Sequence, residues 1–330
     1  MPAQRVNHSG GRRCLLAAAP FDDTANIRVM DVFGRAISRG APLVLDGGLS
    51  TQLELAGADL DHPLWTAQAL LADPSVVREA HVAFLDAGAD VIITASYQVS
   101  FEGFEALGLD AASTETALRM SVAVARDAGI AAGRDAIVAA SVGPYGAILS
   151  DGSEFRGDYD LGYGDLVSFH GRRIAVLLDA GPDLLAIETI PSFVEARALA
   201  DVLQDLPEAR AWFSFTCADG HSLADGTPFS EAASLVSDLP QVVAVGANCT
   251  SPLHIADLIR ATREITQKPV VVYPNRGGVW DAAAKRWRDG VDGELSQLAP
   301  EWTAAGATLI GGCCGTTASD IEALATSLVR

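Results

Sequence analysis

Eight short runs rich in Val, Ile, Leu and Ala punctuate the chain: 42–46 (PLVLD), 91–94 (VIIT), 136–142 (AIVAASV), 184–188 (LLAIE), 211–216 (AWFSFT), 242–246 (VVAVG), 270–274 (VVVYP) and 308–312 (TLIGG). Most are continuously apolar, the pattern of parallel strands covered on both faces. Between them apolar residues recur at helical spacing. After Asp73-Pro74, an N-cap followed by proline at the first helical position, Val77, Ala80, Phe84 and Ala87 mark one helix face. One joint appears three times, in FLDAGADVIITA, LLDAGPDLLAIE and WTAAGATLIGGC: a helix reaches Gly88, Gly181 or Gly306 and a strand begins just beyond. Glycine past a helix end accepts the left-handed backbone that stops the helix, and the repetition predicts β/α units in series.

Eight strands alternating with helices over about 290 residues predict a (β/α)8 TIM barrel, a single α/β domain over residues 41–330. A doubly wound sheet is the alternative, but LDGGLST offers only the adjacent Gly47 and Gly48 where a G-x-G-x-x-G turn is needed. Residues 1–40 are expected to form a weakly ordered N-terminal extension. Its Arg12-Arg13 and the following 14–20 stretch (CLLAAAP) imitate a signal peptide only loosely, because the apolar run is short and Asp22-Asp23-Thr24 follow.

Composition narrows the function. A net charge of −19, from 23 basic and 42 acidic residues, repels phosphate backbones and argues against nucleic acid. No stretch reaches the ~18–20 apolar residues of a membrane span. Five cysteines, an odd number in 330 residues, fit a reducing cytoplasm better than a disulfide scaffold.

The chemistry of a barrel collects at the C-terminal ends of its strands. There the sequence places Asp46, Thr94, Gly143, Glu188, Cys217, Asn248-Cys249, Asn275 and Cys313-Cys314. Neighbouring cysteines bond to each other only in a strained ring, so GGCCG is either a packed turn with inert thiols or half of a metal site. Cys249 favours the metal: 64 residues from Cys313, it lies two strands away on the same rim. Three thiolates with a fourth position open suit a catalytic zinc, and Gly311, Gly312 and Gly315 let the backbone turn so that successive sulfurs face one ion. An electron-rich site of this kind lowers the pKa of a substrate thiol. Attack of that thiolate on the methyl of a sulfonium releases a neutral thioether, so no general acid is required, and no histidine ends any of the eight runs. Cys217, in TCADG, reads as a spectator. The long loop at 145–160, with Asp151, Glu154, Asp158 and Asp160, would attract a cationic donor. Asn275, in YPNRGG, either lines the cavity or holds its own loop.

Taken together, GGCCGTT, GANCTSP, LDGGLSTQLELAG, SVGPYGA and DGSEFRGDY resemble the homocysteine S-methyltransferases over residues 42–328. The likeness is to the branch using S-methylmethionine or S-adenosylmethionine rather than betaine. It implies one Zn2+ per chain held by Cys249, Cys313 and Cys314, and conversion of homocysteine to methionine. It also implies that Glu188 holds the amino group of homocysteine and that Asp46 and Thr94 line its pocket. Ile187 stands where some relatives have cysteine. Rival readings are selenocysteine as acceptor, a barrel lyase or aldolase using Glu188 and Asp46 beside incidental cysteines, and a zinc-storage or thiol redox-sensing protein. The lyase lacks a strand-end lysine for a Schiff base. The expected partners are therefore the two small substrates, with the chain a monomer or small homo-oligomer because it stops at Arg330, without the added C-terminal segment of the betaine-using relatives.

Overall fold

The alternation that two-sided burial hides in the sequence becomes visible along the strands. In the computed structural model, residues 23–62, 64–277, 279–281, 286–288 and 293–328 are described. The strands are β1 (Leu43–Val44), β2 (Val91–Ile93), β3 (Ile137–Val142), β4 (Leu184–Ile190), β5 (Ala211–Phe215), β6 (Val242–Asn248), β7 (Val270–Tyr273), the ribbon strands β8 (Val279–Asp281) and β9 (Arg286–Arg288), and β10 (Leu309–Ile310). Eight of them form one parallel sheet in the order β1-β10-β7-β6-β5-β4-β3-β2. A parallel bridge between Leu45 and Val91 joins its two ends, and the Asp46 N–H donates to the Val91 carbonyl at 3.0 Å. The sheet is thus a closed (β/α)8 barrel, with each predicted run supplying one strand.

Inside the barrel Leu45, Val91, Ile137, Ala139, Leu184, Ala186, Trp212, Val271 and Leu309 form one buried cluster. The intervening Ile92, Val138, Ala140, Leu185, Ile187, Phe213, Val245 and Val272 face the helices in another. Because side chains alternate along a strand, the next inward positions beyond the apolar layer are Ser141 on β3, Glu188 on β4, Ser214 on β5 and Asn248 on β6. The inner face therefore changes from apolar to polar near the strand C-termini, and this is what prepares a site there.

The helix predicted after Asp73 spans Pro74–Asp86, with the Asp73 carboxylate accepting the Ser75 N–H. The three joint glycines, Gly88, Gly181 and Gly306, all have positive φ, at 104°, 73° and 114°.

The N-terminal expectation needs correction for part of its length. Asp23–Arg39 is a 17-residue helix rather than a weakly ordered tail. Val29 and Phe33 join the barrel-interior cluster. Its Arg28 guanidinium reaches Asp183 at 2.7 Å, Asp135 at 2.6 Å and the Ala136 carbonyl at 2.8 Å. The helix covers the N-terminal end of the barrel, where strand ends would otherwise leave apolar side chains against water. The Arg12–Pro20 stretch, Cys14 included, lies outside the described residues.

Candidate active site and cysteine cluster

Where the inner face turns polar, a cavity of about 710 Å³, measured out to its open mouth, sits at the strand C-termini. Cys249 enters directly after β6, and Cys313 and Cys314 follow β10. The Cys249 Sγ lies 2.6 Å from the Cys313 Sγ and 3.4 Å from the Cys314 Sγ, and all three sulfurs fall within 4.8 Å of one another. The backbone explains the convergence. Cys249 itself has φ 47°, a left-handed conformation that a non-glycine residue adopts only when its surroundings impose it. Its N–H is held by the Tyr273 carbonyl, and the Cys313 N–H by the Pro274 carbonyl. Gly315 has φ 81°, and a Cβ on Gly312 would overlap the Thr316 side chain, so both glycines are needed for the turn. Trp65 and Thr189 also have positive φ and also line the cavity.

The three thiols perturb one another. Cys314 is held well below the usual thiol range by hydrogen bonds from Cys249 and then Cys313. Cys249 is pushed well above it by donating to Cys313 and Cys314, with burial adding to the shift. Alone, the trio ionises once with ease and then resists, whereas a bound dication would stabilise all three thiolates. Bonds of about 2.3 Å to one ion cannot hold ligand sulfurs more than about 4.6 Å apart, and the 2.6 and 3.4 Å separations of Cys249 from Cys313 and Cys314 fall inside that limit. The donor set, three sulfurs with neither carboxylate nor imidazole among them, suits a thiophilic metal. Asn248 supports the cluster from behind: its Oδ1 accepts the Thr189 N–H and the Ser214 hydroxyl, and its Nδ2 stands 4.0 Å from the Cys313 Sγ.

Two buried carboxyls face the same space. Asp46, 1% exposed, accepts the Ile93 N–H on Oδ2 at 2.8 Å, while Oδ1 has no partner. Burial pushes its pKa well up. Glu188 accepts a short hydrogen bond from the Ser141 hydroxyl and is pushed up to about 8, chiefly by burial. Thr94 lines the cavity, but its hydroxyl is engaged with Ser96 at 2.7 Å and with the Ser141 N–H at 3.1 Å.

Asn275 is not among the lining residues: its side chain accepts the Gly277 N–H at 2.9 Å and approaches the Cys249 carbonyl, holding its loop. Cys217 stands apart, buried at the end of β5 with its thiol pushed up by desolvation. Of the four loop acids only Glu154 enters the cavity; it is 7% exposed, its Oε2 has no partner, and burial pushes it up to about 7. Asp158 pairs instead with Arg156 at the surface. Trp65, Tyr97, Phe155 and Tyr273 also form walls, and the sequence did not single them out, since an aromatic in an apolar run looks like core.

Comparison with known proteins agrees with this geometry. The family model described as Homocysteine S-methyltransferase matches residues 43–328. The Homocysteine S-methyltransferase of Escherichia coli is 46% identical over 86% of this chain and 94% of its own length, and Homocysteine S-methyltransferase 4 of Zea mays is 46% identical over 87% and 89%. The crystal structure of the E. coli homocysteine methyltransferase MmuM in its metallated form superposes with a TM-score of 0.78 at 45% identity, covering 87% of this chain and 96% of that one. With three converging thiols, buried carboxyls and these likenesses over most of its length, the chain belongs to the homocysteine S-methyltransferase family.

Proposed function

We propose that this methyltransferase is zinc-dependent and transfers a methyl group from a sulfonium donor, S-methylmethionine or S-adenosylmethionine, to homocysteine, giving methionine. The observation that carries the reading is the meeting of three cysteine sulfurs in one cavity with buried carboxyl oxygens that lack a protein partner. Cys249, Cys313 and Cys314 would hold the ion, which when bound lowers the pKa of the substrate thiol and presents it as a thiolate at neutral pH.

The remaining roles fall to the chain itself. Glu188 and Asp46 offer negative charge to the ammonium of homocysteine, and the ammonium in turn replaces the solvation both carboxyls lost on burial. Glu154, on the opposite loop, faces the cationic sulfur of the donor. That charge disappears as the methyl leaves, so Glu154 favours donor over thioether product and supports exchange of the two. The same argument limits its role: charge is already dispersing in the transition state, so Glu154 serves donor binding rather than the chemical step. Trp65, Tyr97 and Phe155 keep water from the reacting sulfurs. The transfer itself moves no proton, in keeping with a lining that contains no histidine among the described residues. The reaction needs three reduced thiols, which favours a reducing compartment such as the cytoplasm. Among the described residues no helix is long and apolar enough to cross a membrane.

The test is methionine formation from homocysteine with each donor in turn, repeated after chelation and after restoring zinc. Activity should vanish with the chelator and return with zinc, at about one ion per chain. Cys249→Ala, Cys313→Ala or Cys314→Ala should each lower kcat at least roughly 10³-fold and release the metal. Undiminished turnover in any of the three would refute the ligand set.

A further inference from the structure

The loop that brings Glu154 and Phe155 to the cavity is tied at both ends to one carboxylate outside it. At one end the Tyr145 N–H donates to Glu195 Oε1 at 2.7 Å; at the other the Tyr159 hydroxyl donates a short hydrogen bond to Glu195 Oε2. Glu195 lies on the helix Phe193–Gln204 and is completely buried, as is His170 on the helix Tyr163–Asp179, whose Nε2 is 2.7 Å from Glu195 Oε1. Burial holds the His170 imidazole neutral, and its Nδ1 has no partner, so its one proton belongs on Nε2, directed at Glu195. Three donors from three segments thus converge on a carboxylate that does not line the cavity. The tie is packed as well as bonded: the Tyr145 ring meets Tyr159 edge-on at 5.4 Å and Phe169 at 5.2 Å.

The tie reaches the cavity in one step. Gly146, next to Tyr145, lies so close to the loop's middle that a Cβ there would stand 2.5 Å from the Glu154 N, and the Ser153 hydroxyl donates to the Gly146 carbonyl at 3.3 Å. We propose that Glu195, oriented by His170, is a positioning residue that clamps both ends of the 145–160 loop and so sets where the Glu154 carboxylate stands opposite the donor's cationic sulfur. The inference rests on the reading of Glu154 given above. An apolar staple would anchor a loop without desolvating a carboxyl; a fully hydrogen-bonded one specifies position as well as attachment.

Tyr159→Phe removes one hydroxyl and leaves the aromatic packing, so it is the primary variant, with Glu195→Gln as the second and Glu154→Gln as the reference. Tyr159→Phe should raise the donor KM about tenfold, the worth of one buried hydrogen bond, while the homocysteine KM, kcat and zinc content stay within twofold. The double variant Glu154→Gln/Tyr159→Phe should be no worse than Glu154→Gln alone, because the clamp acts through that carboxylate. Additive losses in the double variant, or a homocysteine KM that rises with the donor KM, would overturn the proposal. The two readings fail separately: an unchanged donor KM in Glu154→Gln sinks the role of Glu154 itself, whereas a raised one there with an inert Tyr159→Phe sinks only the clamp.

Discussion

Glu188 occupies the inward position of β4 one step above the apolar layer, where burial lifts its carboxyl to about 8 against the pull of the Ser141 hydroxyl and of Arg173. Below that pH the group is mostly protonated in the empty site, and an ammonium requires it ionised. Binding must then release a proton, so affinity should climb with pH, by up to about tenfold per unit, and level off near 8. Norleucine, which has the ammonium but no thiol, isolates this effect: its affinity should follow that rise in the native protein and rise less steeply in Glu188→Gln, where Asp46 alone remains to be ionised. The same variant should lower kcat/KM for homocysteine about 10²-fold. A pH-independent norleucine affinity in the native protein would remove Glu188 from the ammonium site. At this scale the sequence was informative where polar residues end apolar runs, which is how Asp46, Glu188, Cys249 and Cys313-Cys314 were found. It was silent on Trp65, Tyr97 and Tyr273, whose side chains look the same in a core and in a cavity wall. Asn275 shows the limit of that signal, since a polar strand-end residue can equally serve its own backbone.

Among the elements, the Asp23–Arg39 helix was the one the sequence concealed. Val29, Phe33 and Ala36 have helical spacing, but the surface they cover is made from the inner faces of several strands and exists only once the barrel has closed. No local signal announces a partner of that kind. Phe33 is 2% exposed, so Phe33→Ala should cost about 3–5 kcal/mol and lower Tm by several degrees. Both KM values should remain within twofold, because the helix and the cavity lie at opposite ends of the barrel. A Tm unchanged in that variant would mean the helix is not docked as described. The 145–160 loop was legible in part: its acids pointed to a cation, but which acid enters the cavity depends on Glu195, a contact made across 36 to 50 residues.

For the molecule as a whole, closure was the most legible property, because eight parallel strands with recurring helix–Gly–strand joints leave few other arrangements. The charge of −19 acts at the same scale. A sulfonium amino acid is a net cation and homocysteine is not, so the protein's field should speed capture of the donor alone. Raising ionic strength from about 20 to about 300 mM shortens the screening length severalfold. The donor's kcat/KM should fall about threefold, while that of homocysteine hardly moves; equal sensitivity of the two would discount steering. The capped end of the barrel governs traffic in another way. With Phe33 and Val29 on the floor and Trp212 filling the interior, the described residues leave the rim as the route by which reactants and products pass. A lingering methionine therefore obstructs both of the next arrivals, and product accumulation should slow turnover by blocking homocysteine and donor alike.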